Sequence, residues 1–504
     1  MRGEDRGAAC RFVSAHWNAP SLARLLWARI PSRPRRLLCG ARANAEVALL
    51  ARNVAWSSSG VVLAQICTLV AYMLLARSIG KESFGQFTIV QSTANAISTF
   101  AGLGLSVTAT KYIAELRLGS PARAGAAFTF IGLFTLTWTG ALAAAIWMAA
   151  PQLAREVLKR PELVSSVRIG ALLLFFTTVM NVQNGALAGF ESFDALAKTS
   201  MLRGILILPF LLLGAAAGHV EGALIGFTSA AAVACAINQR LLWRRCRLHA
   251  MGWSLHGAFR ELSILAAFSI PALLTNMIPA PCLTLAQTLL VRQPGGYGHL
   301  AVFTAAFQLR AGIILLPALL SQPLVPMLAR SAASGTSSRR SLMRATCAAT
   351  LAVSVPLAVL VCAFPKSLML AYGHAFTGHS PVLILLAASA VMNSITAPFI
   401  ASLTSSGRMW SLALAFTVWG AAFLTVSCLL LPSFQATALA VAYLVADGIR
   451  TAFVLAVYRS SQRALDSGSA SSSAEFSEAA LLLDAELPLP APEAHEVVCS
   501  GGGQ

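Results

Sequence analysis

Long apolar segments without a charge recur along this chain, and they constrain its fold more than any motif does. Each runs about 20 residues or more, the length a helix needs to cross a hydrocarbon core about 30 Å thick. Of the 504 residues 57% are hydrophobic and 11% are charged, where a soluble protein carries roughly 25% charged residues. The chain therefore reads as an all-α polytopic membrane protein.

Twelve spans are expected, at 54–76, 84–107, 124–149, 168–190, 200–218, 222–240, 262–290, 300–327, 344–364, 380–404, 410–431 and 436–458. The fifth contains Arg203 and the twelfth contains Asp447 and Arg450, so these two are the least apolar. The first two meet in a tight, glycine-punctuated turn, Arg77 to Phe84-Gly85, and the second leaves the apolar region through Gly102-Leu103-Gly104. Lys and Arg concentrate in alternate connections, among them Lys111, Arg117 and Arg123, then Arg240, Arg244, Arg245 and Arg247, then Arg330, Arg339 and Arg340. By the positive-inside rule this places both termini in the cytoplasm. The connection 150–168, with Arg155, Lys159 and Arg160, runs against that count and also carries Glu156 and Glu162.

The ends differ in composition from the apolar part. Residues 1–50 are rich in arginine, with Leu22, Leu25, Leu26 and Ile30 on one side of a short helix suited to an anionic membrane surface. From about residue 460 the chain turns to Ser, Ala, Pro and acidic residues, a composition expected to stay disordered in the cytoplasm.

The formal charge of +18 follows from these tails and connections. No basic module interleaved with aromatics accompanies it, so nucleic acid is not an expected partner. Ten cysteines are scattered, mostly inside spans, without a CxxC pair or a histidine at zinc-ligand spacing. Neither a metal nor another cofactor is expected.

Loose internal similarity divides the apolar part. Leu74-Leu75-Ala76-Arg77 with Gly80 returns as Leu289-Leu290-Val291-Arg292 with Gly295, and Gly85 pairs with Gly298 after a two-residue shortening. Leu187-Ala188-Gly189-Phe190 closes the fourth span as Leu403 to Arg408 closes the tenth, and Glu221 to Leu224 opens the sixth as Ala436 to Leu439 opens the twelfth. The common order predicts two six-helix bundles, 51–250 and 251–459, related by a pseudo-twofold axis along the membrane normal around a central cavity. Parallel repeats of this kind are a transporter architecture. Pro271, Pro279 and Pro281 in the seventh span, and Pro317, Pro323 and Pro326 in the eighth, predict kinks or broken helices.

These segments resemble the polysaccharide (O-antigen type) flippases of the multidrug, oligosaccharidyl-lipid and polysaccharide exporter superfamily. The resemblance lies in Leu75 to Gly80, Phe84 to Phe87, Gly102 to Leu105, Lys111 to Ala114, Leu187 to Phe190, Phe268 to Pro271, Tyr372 to Phe376 and Gly407-Arg408, and it covers about residues 50–460. It implies twelve or more helices in two bundles. It also implies alternating access that moves an undecaprenyl-pyrophosphate-linked oligosaccharide between the leaflets of a bacterial plasma membrane, without catalysis. Glycan polymerases and glycosyltransferases of the same pathway, and membrane lipids, are the implied partners. Two features depart from the family: the arginine-rich N-terminal segment and the acidic tail.

A lipid-linked oligosaccharide presents a polyanionic pyrophosphate and many hydroxyls, which call for buried cations and amides. Arg310, about ten residues into the eighth span and without a carboxylate near it in sequence, is the leading candidate, expected to face a cavity. Arg203 lies near the start of its span, where it could also snorkel to the surface. Gln91 and Asn95 share one face; Asn181 and Asn184 cluster late in the fourth span; Asn276 and Gln308 supply amides in the second half. Arg77 and Arg292 are expected to anchor helix ends, and Asp447 and Arg450, three apart, to neutralise each other. Two other readings remain open. A cation-coupled multidrug antiporter of the same architecture would need a buried acid in spans 54–190, which contain none, and a membrane glycan polymerase or ligase would need a catalytic constellation on a large outer loop.

Overall fold

A computed structural model describes residues 45–102, 104–248, 251, 277–321, 336–406 and 408–466. The expected tail helix around Leu22 to Ile30, the acidic tail beyond residue 466, most of the seventh span with Pro271 and Asn276, and Pro323 and Pro326 lie outside the described residues.

The described residues form helices and short helical turns, without a strand. In order they are α1 (Ala45–Ile79), α2 (Lys81–Ala101), α3 (Leu105–Gly119), α4 (Pro121–Gln152) and α5 (Val164–Gly189). Then come α6 (Phe193–Leu248), α7 (Pro279–Val291), α8 (Gly296–Ser321) and α9 (Thr336–Ala363). The short α10 (Pro365–Leu370), α11 (Ser380–Ser405) and α12 (Met409–Asp466) complete the described chain. Eight helices among the described residues are long and apolar enough to cross a membrane. Two of these are double. α6 breaks at Gly218–His219 and α12 at Gln435, which separates the expected fifth from sixth and eleventh from twelfth spans.

Two expectations are corrected. The second span does not run to residue 107: α2 ends at Ala101, Gly104 adopts a left-handed conformation at φ 67°, and α3 sets off anew. α2 also falls outside the eight long apolar helices, because Gln91, Ser92, Thr93 and Asn95 dilute its apolar run. Pro279 and Pro281 stand at the expected interruption of the seventh span: residue 277 is helical, 278 is a turn, and a new helix, α7, starts at Pro279. They lie in the first turn of α7, where a missing backbone donor costs nothing because it would have no partner inside the helix. The connection 150–168 is not an open loop, since Leu153–Val157 is a π-helical turn and Pro161–Leu163 a 3-10 turn.

Matching features recur at a nearly constant offset. Gly80 before α2 and Gly295 before α8 both take positive φ, 84° and 67°, a conformation open to glycine because it lacks a Cβ. His219 and Gln435 take nearly the same backbone angles at the two breaks (φ 47°, ψ −121° and φ 48°, ψ −117°). The breaks are out of step by a single position with the similarity of Glu221 to Leu224 and Ala436 to Leu439.

The matching ends also hold each other. Arg77 donates from Nη2 to the Leu370 carbonyl at 3.1 Å, while Arg292 donates to the carbonyls of Val157 at 3.1 Å and Glu156 at 3.2 Å. Each arginine thus satisfies the carbonyl end of a helical turn in the opposite half of the chain, not of its own helix. At the same end the Tyr297 hydroxyl donates to the Leu158 carbonyl at 2.8 Å, and Arg160 pairs with Glu82 at 2.7 Å. Phe84 packs against Tyr372 and Phe376, with ring centroids 6.3 and 6.5 Å away.

α2 joins the two halves by packing against α7 and α8, and α1 also touches α8. Gly85 makes the approach possible: a Cβ there would sit 1.9 Å from the Tyr297 carbonyl oxygen. Gly85→Val forces the backbones of α2 and α8 apart and is expected to destabilise the protein by at least the roughly 1–3 kcal/mol of an overpacked core. A lowered unfolding temperature in detergent would show this, and unchanged melting would mean that the two helices do not meet as described.

Candidate functional site

Small residues bring α1 and α6 into contact and so decide where Arg203 points. A Cβ on Gly204 would lie 2.4 Å from Ala64 Cα, and one on Gly60 would lie 2.5 Å from the Ala197 carbonyl oxygen. Small residues at helix interfaces permit this kind of backbone approach in membranes. Arg203, ten residues into α6 and about 15 Å from its start at 1.5 Å per residue, lines a cavity of about 360 Å³ together with Gln65 and Tyr72 of α1.

Amides surround that arginine. Gln91 of α2, Asn184 of α5, Asn238 of α6 and Gln308 of α8 line the same cavity, and no carboxylate among the described residues does. Gln91 donates to the Tyr72 hydroxyl and Asn238 donates from Nδ2 to Asn184 Oδ1 at 3.0 Å, so these amides are held in place by one another. The Asn238 Oδ1 atom is buried without a hydrogen-bond partner among the described residues. Arg203 itself forms no ion pair or hydrogen bond with the described residues. A guanidinium in such surroundings offers a planar fork of donors to an anion, and the amides and hydroxyls offer both donors and acceptors to a sugar.

Four of the expected site residues, Arg203, Gln91, Asn184 and Gln308, thus share one cavity. Asn95 and Asn181 do not line it, and both are exposed elsewhere. Asn276 lies outside the described residues. Asn238, Tyr72 and Gln65 escape the sequence reading. Asn238 and Gln239 are adjacent amides at the end of an otherwise apolar span, and that is the available signal.

Arg310 requires a correction. It does not face the cavity as an unpaired cation. Its Nη2 lies 2.9 Å from Asp447 Oδ2 and its Nε donates to Ser389 Oγ at 2.7 Å. Its guanidinium carbon stands 4.3 Å from the centre of the Tyr443 ring, a cation–π contact. Asp447 is wholly buried, and its other oxygen accepts from Trp419 Nε1 at 2.9 Å and lies 3.1 Å from Arg450 Nη2. Asp447 and Arg450 therefore do not simply neutralise each other: one carboxylate serves two guanidiniums and an indole, tying α8, α11 and both arms of α12. Gln287 is likewise engaged, accepting from the Ser92 hydroxyl across the α2–α7 contact.

Solved structures share this fold. One described as the inward-facing conformation of a multidrug resistance MATE family transporter of the MOP superfamily aligns with a TM-score of 0.66 and 14% identity, over 81% of this chain and 96% of that one. A MOP superfamily transporter from Pyrococcus furiosus, described as having a binding pocket of reversed polarity, aligns at 0.59 and 14%, over 82% and 96%. The chain is 24% identical over 289 residues to the EPS I polysaccharide export inner membrane protein EpsE of Ralstonia solanacearum, covering 57% of this chain and 64% of that protein. The corresponding protein of Ralstonia nicotianae is also 24% identical, over 57% and 65%. The chain thus spans just under two thirds of the length of the curated relatives it matches. A family model described as polysaccharide biosynthesis protein matches residues 50–332, over half of the chain and across α1 to α8 with the cavity they enclose, and the chain belongs to that family.

Proposed function

We propose that this protein is a flippase that carries a lipid-linked oligosaccharide, on an undecaprenyl-pyrophosphate carrier, from the inner to the outer leaflet of a bacterial plasma membrane. The observation that carries this reading is Arg203, a guanidinium without an ion-pair partner among the described residues, in an amide-lined cavity whose described lining holds no carboxylate. Pyrophosphate suits that cation, the amides suit the adjoining sugar, and the cavity falls within the size range of small-molecule sites. The family and the polysaccharide-export relatives support the same substrate class.

In this reading residues 51–250 and 251–459 are two six-helix bundles that rock about the substrate, with both termini cytoplasmic. The end closed by Arg77, Arg292, Arg160 and Tyr297 is the outer one. Alternating access requires those contacts to break while the cavity opens outward. The protein moves its substrate without chemistry, and glycosyltransferases and a glycan polymerase act before and after it. A multidrug antiporter of the same fold is the second reading, and Arg203, without an ion-pair partner among the described residues, argues against it because a cationic drug would be repelled.

Proteoliposomes loaded with a fluorescent lipid-linked oligosaccharide test the proposal. Protein-dependent exposure of the glycan to an external lectin is the expected result. Failure of exposure, with proton- or sodium-driven uptake of an organic cation instead, would favour the antiporter.

A further inference from the structure

We propose that His299 and His379, set against Lys81, form an acid-sensitive latch: a proton taken up by the pair opens the end of the molecule that Arg77 and Arg292 close. It rests on the flippase reading in one respect, that with this end as the outer one acid acts from outside the membrane. None of the three residues lines the Arg203 cavity.

Three elements meet at this seam. Lys81 begins α2 in the first half of the chain, directly after Gly80 with its positive φ. His299 lies in the first turn of α8, and His379 ends the 3-10 turn His374–His379 that precedes α11. The two imidazole rings stand 6.1 Å apart, centre to centre. A Cβ on Gly298 would lie 3.5 Å from Lys81 Cε, so the lysine stem reaches from α2 onto the residue beside His299. Both rings feel the lysine charge. All three side chains are half-buried, within reach of protons from bulk water.

Positive charge at the seam has no acid to balance it. Neither histidine nor Lys81 forms an ion pair with the described residues. Glu82, next to Lys81, is held by Arg160 at 2.7 Å, while Arg77 and Arg292 donate to carbonyls. The Nδ1 atom of each histidine is buried without a hydrogen-bond partner, and the Phe376 carbonyl approaches the His379 ring without bonding to that atom. An imidazolium donates from both nitrogens. Protonation therefore leaves a buried N–H without an acceptor and sets like charges against Lys81 across the seam. Both costs fall when the two halves part and water enters.

Acid thus favours opening, because a proton binds less readily to the closed state than to the open one. Histidine in water titrates at about pH 6.5. The arginines at this end keep their charge throughout that range. His374, on the same 3-10 turn as His379, is exposed and provides a control.

Spin labels on Ser78→Cys and Ala375→Cys, exposed positions in opposite halves, read the seam in detergent once the native cysteines are replaced. Lowering the pH from about 7.5 to about 5.5, either side of the histidine range, is expected to raise the ratio of long to short distances. The rise is roughly ten-fold for a one-unit difference in proton affinity between the two states. His299→Gln combined with His379→Gln should flatten the response, Lys81→Met should shrink it, and His374→Gln should leave it unchanged. A wild-type distance that ignores pH would overturn the latch. So would a response that persists in the double variant, is untouched by Lys81→Met, or vanishes in His374→Gln. Should the double variant not fold, His299→Gln alone decides, and a full response there overturns the proposal. The measurement needs no substrate, so a failure of glycan exposure in vesicles counts against the flippase reading and leaves the latch in place.

Discussion

Arg203→Gln is expected to slow glycan exposure in proteoliposomes by roughly ten- to a hundred-fold without unfolding the protein. A hydrogen bond to a charged group contributes about 1.5–3 kcal/mol, and every 1.4 kcal/mol is a factor of about ten. The fold survives because Arg203 has no ion-pair partner among the described residues whose charge would be stranded. The Gln91–Tyr72 and Asn238–Asn184 bonds that shape the cavity also do not depend on it. Arg203→Lys should recover part of the rate, since a point charge replaces the fork but cannot donate two parallel bonds to one phosphate. Measuring lectin accessibility against time, alongside melting in detergent, separates transport from folding. A wild-type rate in Arg203→Gln would remove the anion-handling role from this cavity.

The helices are legible in the sequence because an uncharged run of membrane length has few alternatives. Apolar composition cannot show where a run stops inside the membrane region. The glycines at 102 and 104 mark an exit from the apolar region, yet the expected second span runs past them to 107 because no charge follows, and the left-handed Gly104 shows that the helix ends there. The site is legible in its chemistry and less so in its geometry. Gln91, Asn184 and Gln308 declare themselves as amides in apolar helices, yet Asn95, on the same face as Gln91, does not line the cavity. Arg203 reads as the lesser candidate because its place near a helix start suits snorkelling. What turns it inward is the Gly204–Ala64 approach, a contact between helices far apart in the chain that no local pattern records. Arg310 is misread for the same reason. Its acid lies 137 residues away, and only the packing of α8 against α12 brings the two together.

Asp447→Ala is expected to have the largest effect on stability of any single substitution in the second half. Removing one partner of a buried ion pair costs about 3–5 kcal/mol, because the remaining charge is left unmatched. Here a single deletion strands two guanidiniums and also leaves the Trp419 indole without its acceptor. Melting in detergent should show a large drop, with α8 and the two arms of α12 losing their common tie. The triple substitution Arg310→Met, Asp447→Leu, Arg450→Met should move the other way. Replacing a whole buried charge cluster by apolar side chains of similar volume is often neutral or stabilising by about 1–4 kcal/mol. Opposite signs from fewer and more substitutions at one place are not produced by loss of packing alone, which would make the triple variant the worse of the two. If instead Asp447→Ala melts with the wild type, the carboxylate does not hold these helices, and the pairing that displaced Arg310 from the cavity would have to be abandoned.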